Sequence, residues 1–198
     1  MMNENKTLEY YNKNAGNFAK STIDVNFYET QKHFQVLLPE HGYILDFGCG
    51  SGRDTKYFLE QGFYVDATDG SEEMCHIASN YTGIQVRRLL FEELDENKKY
   101  DGIWACSSIL HLPKNELKTV FMKMHKALKE DGIIYTSFKY GDFEGERNGR
   151  YFTDFTEKTF EEFVDEIDNL KLKEEWITGD VRPGRGEEKW LNVILQKH

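Results

Sequence analysis

The sequence predicts an α/β fold, a doubly wound sheet flanked by helices. Three observations carry this. Apolar runs of strand length alternate with stretches at helical spacing over most of the 198 residues, a glycine-rich turn joins the first strand to a helix, and an acid closes the second strand. The first forty residues read as helical, with Phe27, Phe34, Leu37 and Leu38 near helical spacing until Pro39 stops the run. Residues 1–40 are therefore expected to form a helical cover, and residues 41–198 the α/β core, of a single domain. Strands are predicted at Tyr43–Phe47 and Phe63–Thr68, then at Ile84–Leu90 after a helix marked by Met74, Ile77, Ala78 and Tyr81. Tyr100–Cys106 reads as the fourth strand. Pro113 opens a helix whose Leu117, Val120, Phe121, Met124 and Leu128 make one apolar stripe ending near Gly132, and Ile133–Phe138 follows as the fifth strand. Lys139–Asp154, rich in glycine and charge, reads as a loop. A helix from about Thr156 carries Phe160, Phe163, Val164 and Ile167. Leu172–Thr178 and Trp190–Leu195 then form a hairpin with a long connection at the functional edge.

The first strand runs into Asp46-Phe47-Gly48-Cys49-Gly50-Ser51-Gly52. Glycines here can take positive φ and leave no Cβ between backbone and ligand, while the helix that follows offers unpaired N–H groups. A dinucleotide fingerprint would need a third glycine at Arg53; instead a carboxylate precedes the first glycine. An acid there repels a pyrophosphate and suits an amino group, so the turn looks like one that holds the amino-acid end of S-adenosylmethionine. Asp69 closes the second strand about 20 residues beyond the turn, where an acid can accept both ribose hydroxyls. Gly70 allows close approach, Ser71 can cap the next helix, and Glu72 and Glu73 favour its first turn.

Thirty-five acidic against 25 basic residues give a formal net charge of −10, with no general attraction to DNA or anionic membranes. A small-molecule partner is the better expectation. No apolar run reaches membrane-spanning length and Met1–Lys6 lacks a signal-peptide core, so a cytoplasmic location is expected. Cys49, Cys75 and Cys106 are odd in number and widely spaced, which argues against a disulfide framework or a metal site. The oligomeric state is left open.

Across nearly the whole chain the sequence resembles the class I S-adenosylmethionine-dependent methyltransferases. The resemblance rests on Leu45–Gly52, on Val65–Met74, and on Tyr100–His111 around the fourth strand. More narrowly, the chain resembles small bacterial members with an N-terminal helical cover, loosely of the tellurite-resistance type. The resemblance implies a Rossmann-like, seven-stranded, mostly parallel sheet with the last strand antiparallel, and S-adenosylmethionine bound across the C-terminal ends of the first strands. It implies that Asp46 organises the turn or meets the methionine amino group, and that the backbone of Gly48, Cys49 and Gly50 contacts the methionine part. Asp69 would hold the ribose, with Gly70, Ser71 and Met74 bordering the adenosine. Many relatives carry an acid after the third strand; Leu90 and Phe91 align there, so apolar contact and the backbone of Phe91 and Glu92 are expected to hold the adenine. The carbonyl of Cys106 would meet the methionine amino group.

Other candidates leave alternatives open. Cys49 has no nearby base or positive cluster that would make it a nucleophile. His111 follows the fourth strand at the active edge and is the candidate catalytic residue, for proton transfer, for positioning the acceptor, or in a packing role. Tyr11 and Phe18 either close over the sulfonium as a lid or simply pack the cover down. Lys139, Arg147, Arg150, Arg182 and Arg185 either select an anionic substrate or are solvated charges balanced by Asp142, Glu144, Glu146, Glu187 and Glu188. The expected function is methyl transfer to a small soluble acceptor. A non-catalytic cofactor-binding regulator, an RNA methyltransferase and a nicotinamide-dependent oxidoreductase are the rivals.

Overall fold

The computed structural model describes residues 2–198, with side chains described from Lys6 onward. Helix α1 (Met2–Thr22) precedes α2 (Tyr28–Gln35), β1 (Tyr43–Phe47), α3 (Arg53–Glu60), β2 (Tyr64–Asp69), α4 (Glu72–Thr82) and β3 (Arg87–Arg88). Next come β4 (Tyr100–Ala105), α5 (Lys114–Ala127), β5 (Leu128–Lys139), β6 (Glu144–Arg147), β7 (Arg150–Thr153), α6 (Glu157–Val164), β8 (Leu170–Gly179) and β9 (Lys189–Lys197). Seven strands form one sheet in the order β3-β2-β1-β4-β5-β9-β8, while β6 and β7 form a separate hairpin. Strands β1 to β5 are parallel, and β9 lies antiparallel between β5 and β8. The last strand of the chain is thus the antiparallel one, as expected.

Side-chain alternation along the strands divides the core between two faces. Leu45, Phe47, Ile103 and Ala105 pack with α5 and α6 residues such as Leu117, Phe121, Phe160 and Phe163. On the opposite face, Ile44, Trp104 and Tyr135 pack against Phe34 of α2 and Phe58 of α3. Trp104 stacks on Tyr135 with ring centroids 4.0 Å apart, and its indole N–H donates to Asp54 at 2.9 Å. Gln31 of α2 donates to the same carboxylate at 2.7 Å, which ties the cover to the core by a buried polar link.

Three local expectations are corrected. The third strand keeps only Arg87 and Arg88 in the sheet rather than Ile84–Leu90, because it is an edge strand whose sole partner is β2. Helix α5 ends at Ala127 rather than near Gly132, since Leu128 is already extended at φ −73°, ψ 143°. Lys139–Asp154 is largely a hairpin. Its turn is Asn148-Gly149, with both φ values positive at 53° and 75°, the geometry that an Asn-Gly pair adopts readily.

Candidate active site

The glycine turn, the ends of β2 and β4, helix α1 and the β6–β7 hairpin enclose a cavity of about 210 Å³. Gly48, Gly50 and Gly52 have φ of +84°, +54° and +82°. A Cβ on Gly48 would stand 2.5 Å from Cβ of Ser108, whose hydroxyl donates to the Phe47 carbonyl at 2.7 Å. The turn is therefore locked against the segment after β4. There Ser107 takes a positive φ of 52° and donates its N–H to Ser137 Oγ at 2.9 Å, a strained conformation held by its surroundings at the cavity wall.

Asp69 sits half-buried where β2 ends. Its Oδ2 accepts the Gly50 N–H at 2.9 Å and its Oδ1 accepts the Ser71 N–H at 2.8 Å. Burial raises its carboxyl above the ordinary value, against the lowering effect of these backbone donors. A carboxylate has about four acceptor positions, so two remain for a ligand diol. Asp46 lies elsewhere. It is buried behind the turn and accepts from Thr55 Oγ1 at 2.5 Å, and it does not line the cavity. Burial, reinforced by Asp54, pushes its carboxyl up to about 8. Of its two expected places the geometry matches the organising one.

Helix α1 covers the cavity, packing Ala15, Ala19 and Leu8 against the core and adding polar links at its periphery. Thr7 Oγ1 accepts the Tyr151 N–H at 3.1 Å, Asn12 Oδ1 accepts from Ser71 Oγ at 2.6 Å, and Thr22 Oγ1 donates to Ser51 Oγ at 3.2 Å. Ser71 thus caps α4 and holds α1, but does not line the cavity; nor does Glu92. Tyr11, Phe18, Met74, Gly70, Phe91, Cys49 and Cys106 all do. Phe91 packs edge-on against Phe47, and Tyr11 edge-on against Phe18, with centroids 4.9 and 5.1 Å apart. Burial pushes the Cys106 thiol up to about 12 and the Cys49 thiol well above its ordinary range, so neither is a ready thiolate. Among the described residues no cluster of His, Cys, Asp or Glu is arranged to hold a metal.

His111 is buried beneath Tyr11. Its Nδ1 lies 2.6 Å from the Tyr151 carbonyl and its Nε2 2.8 Å from the Tyr11 hydroxyl. A carbonyl can only accept, so the proton sits on Nδ1, and Nε2 accepts from Tyr11. Burial pushes the imidazole down to about 3, making it a weak base in this closed arrangement. Arg150 completes the group, with Nη1 donating to the Tyr11 hydroxyl at 3.3 Å.

The sequence had not marked Arg53 and Asp54, or Ser107 and Ser108, as cavity residues. Arg53 and Asp54 stand directly after the glycine turn, a positional signal for them. The five predicted loop cations divide. Lys139, Arg182 and Arg185 line the cavity but are paired, Lys139 and Arg185 to Glu188 and Arg182 to Asp180; Arg147 is paired to Asp154 away from the cavity.

Residues 44–132 match the model of a methyltransferase domain. The seven-stranded, mostly parallel sheet is the Rossmann-like fold of the class I S-adenosylmethionine-dependent methyltransferases. It is 32% identical over 122 residues to YqeM of Bacillus subtilis, a methyltransferase by assignment, covering 56% of this chain. The chain spans about half of that relative's length, 49%. Among solved structures, the chain is similar to the 1,6-didemethyltoxoflavin-N1-methyltransferase of Burkholderia thailandensis, which was crystallised with S-adenosylhomocysteine. The identity is 26%, with a TM-score of 0.70 and coverage of 96% of this chain and 89% of that one. A TehB-like methyltransferase from Corynebacterium glutamicum shares the fold at 20% identity and a TM-score of 0.70, covering 96% and 98% of the two chains.

Proposed function

We propose that this chain transfers a methyl group from S-adenosylmethionine to a small acceptor held beside Tyr11, His111 and Arg150. The observation that carries this is the enclosure itself. A backbone cradle of left-handed glycines and a carboxylate with free acceptor positions open into one cavity whose other end is lined by polar side chains. The donor set fits the cofactor: Asp69 for the ribose, the backbone of Gly48 to Gly50 for the methionine part, the Cys106 carbonyl for its amino group, and Gly70, Met74, Leu90 and Phe91 around the adenosine. Bound S-adenosylmethionine supplies a methyl group already activated on a sulfonium.

The chain's own residues then orient and dry the site. Alignment of two reactants accounts for roughly 7–11 kcal/mol of barrier lowering in well-oriented systems, so strong acid–base chemistry is not required. His111, neutral and accepting from Tyr11, is a positioning residue: it fixes the phenol at the cavity wall. Phe18 and Tyr11 exclude water where the cover meets the turn. The net charge of −10 favours a small acceptor over RNA. The test is release of S-adenosylhomocysteine from S-adenosylmethionine over a panel of small nucleophiles. Acceptor-dependent release supports turnover, whereas tight cofactor binding with no release over the whole panel returns the chain to a binding role.

A further inference from the structure

Arg150 is the exception among the cavity's cations. Arg53 is held by Asp54 at 2.7 Å, Arg182 by Asp180, and Lys139 and Arg185 by Glu188. Among the described residues, no carboxylate lies within 4 Å of Arg150, and its buried Nε has no hydrogen-bond partner. A guanidinium stays charged at every physiological pH, and half-buried Arg150 carries that charge without a counter-ion. Only one of its contacts is a hydrogen bond, the long one from Nη1 to Tyr11. The rest is aromatic: the guanidinium carbon lies 4.5 Å from the Tyr10 ring centre, 5.0 Å from Phe152 and 5.8 Å from Tyr11. Three rings hold the cation in place, and Nη2, without a hydrogen-bond partner among the described residues, is left to a ligand.

We infer that Arg150 receives a carboxylate of the methyl acceptor, so that the substrate class is a small carboxylic acid with an apolar or aromatic body. This rests on the methyltransferase reading above. The planar fork of a guanidinium matches the two oxygens of a carboxylate. Its neighbour His111 stays neutral and the cavity's other cations are each paired with a carboxylate, so a single uncompensated positive charge suits a monoanion. Leu110, Leu112 and Phe152 supply an apolar wall. The methionine part of the cofactor, with its carboxylate, is proposed to lie at the glycine turn. Phe18, 3.6 Å from where a Gly50 Cβ would stand, covers that turn, and Arg150 bonds to Tyr11 on the far side of the Tyr11–Phe18 pair.

The experiment is calorimetric titration of protein saturated with S-adenosylhomocysteine, using benzoate and its neutral isostere benzamide. Benzoate should bind at least tenfold more tightly than benzamide. Arg150→Gln should erase that preference while S-adenosylhomocysteine affinity stays within about twofold of wild type, and Arg150→Lys, which keeps the charge, should retain a preference of threefold or more. Equal binding of the two probes by the wild type overturns the inference, as does phenyl phosphate binding more tightly than benzoate. A tenfold loss of S-adenosylhomocysteine affinity in a folded Arg150→Gln also overturns it, by giving Arg150 to the cofactor. If the wild type binds no S-adenosylhomocysteine, the methyltransferase reading fails first, and the result is distinct from all of these.

Discussion

Asp69→Asn separates the two tasks of this carboxylate with little change in shape. In the wild type, Oδ1 and Oδ2 accept the Ser71 and Gly50 N–H groups at 2.8 and 2.9 Å. An amide keeps one oxygen and presents an NH2 to the other donor, so one charge-assisted bond, worth ~1.5–3 kcal/mol, is lost. The neutral amide is cheaper to bury than a carboxylate whose pKa burial has raised, which draws the loss toward the lower figure. For a chain of this size the melting temperature should fall by about 3–12 °C, most of it near the lower end. Loss of one charged acceptor to the ribose diol should weaken S-adenosylhomocysteine binding by a similar energy, roughly 10- to 150-fold. Differential scanning fluorimetry and calorimetric titration measure the two effects. Wild-type affinity in a folded Asp69→Asn protein would remove Asp69 from the ribose site.

Further outcomes concern the turn, the buried acid and the cover. Gly48→Ala places a Cβ 2.5 Å from that of Ser108 at a φ of +84°; it should cost at least ~1–3 kcal/mol in a urea titration and sharply weaken cofactor binding, and unchanged stability would refute the packing described. Asp46 has a native carboxyl at about 8 against an ordinary 3.8, so the native state holds a proton that the unfolded chain has lost between these values. Stability should therefore decline as pH rises from about 4 to about 8, and Asp46→Asn should remove that decline; identical pH profiles for the two proteins would contradict the assignment. Hydrogen exchange over residues 7–20 should slow on adding S-adenosylhomocysteine if α1 closes over the ligand, and equal exchange with and without it would return Tyr11 and Phe18 to packing.

What was legible in the sequence followed from local chemistry. The turn Gly48–Gly52 and the acid at position 69 were visible because left-handed backbone and a strand-end carboxylate leave residue-type signatures. The third strand was overextended because Ile84–Leu90 has strand composition, yet β2 offers it only a two-residue ladder. The Asn148-Gly149 turn carried the hairpin signal that the charge-rich segment around it obscured. Asp46 needed tertiary context, since only the register of β1 decides whether its side chain faces the cavity or Thr55. The same is true of Arg150: no local pattern distinguishes it from Arg147, which finds Asp154 seven residues away.

The central claim is that the cavity between the glycine turn, Asp69 and α1 is an S-adenosylmethionine site. Calorimetric titration of the wild-type chain with S-adenosylhomocysteine, followed by NAD, tests it most directly. One equivalent of S-adenosylhomocysteine should bind, and NAD should neither bind nor displace it, because Arg53 stands where a dinucleotide turn needs its third glycine. Binding of NAD with no heat from S-adenosylhomocysteine would contradict the account.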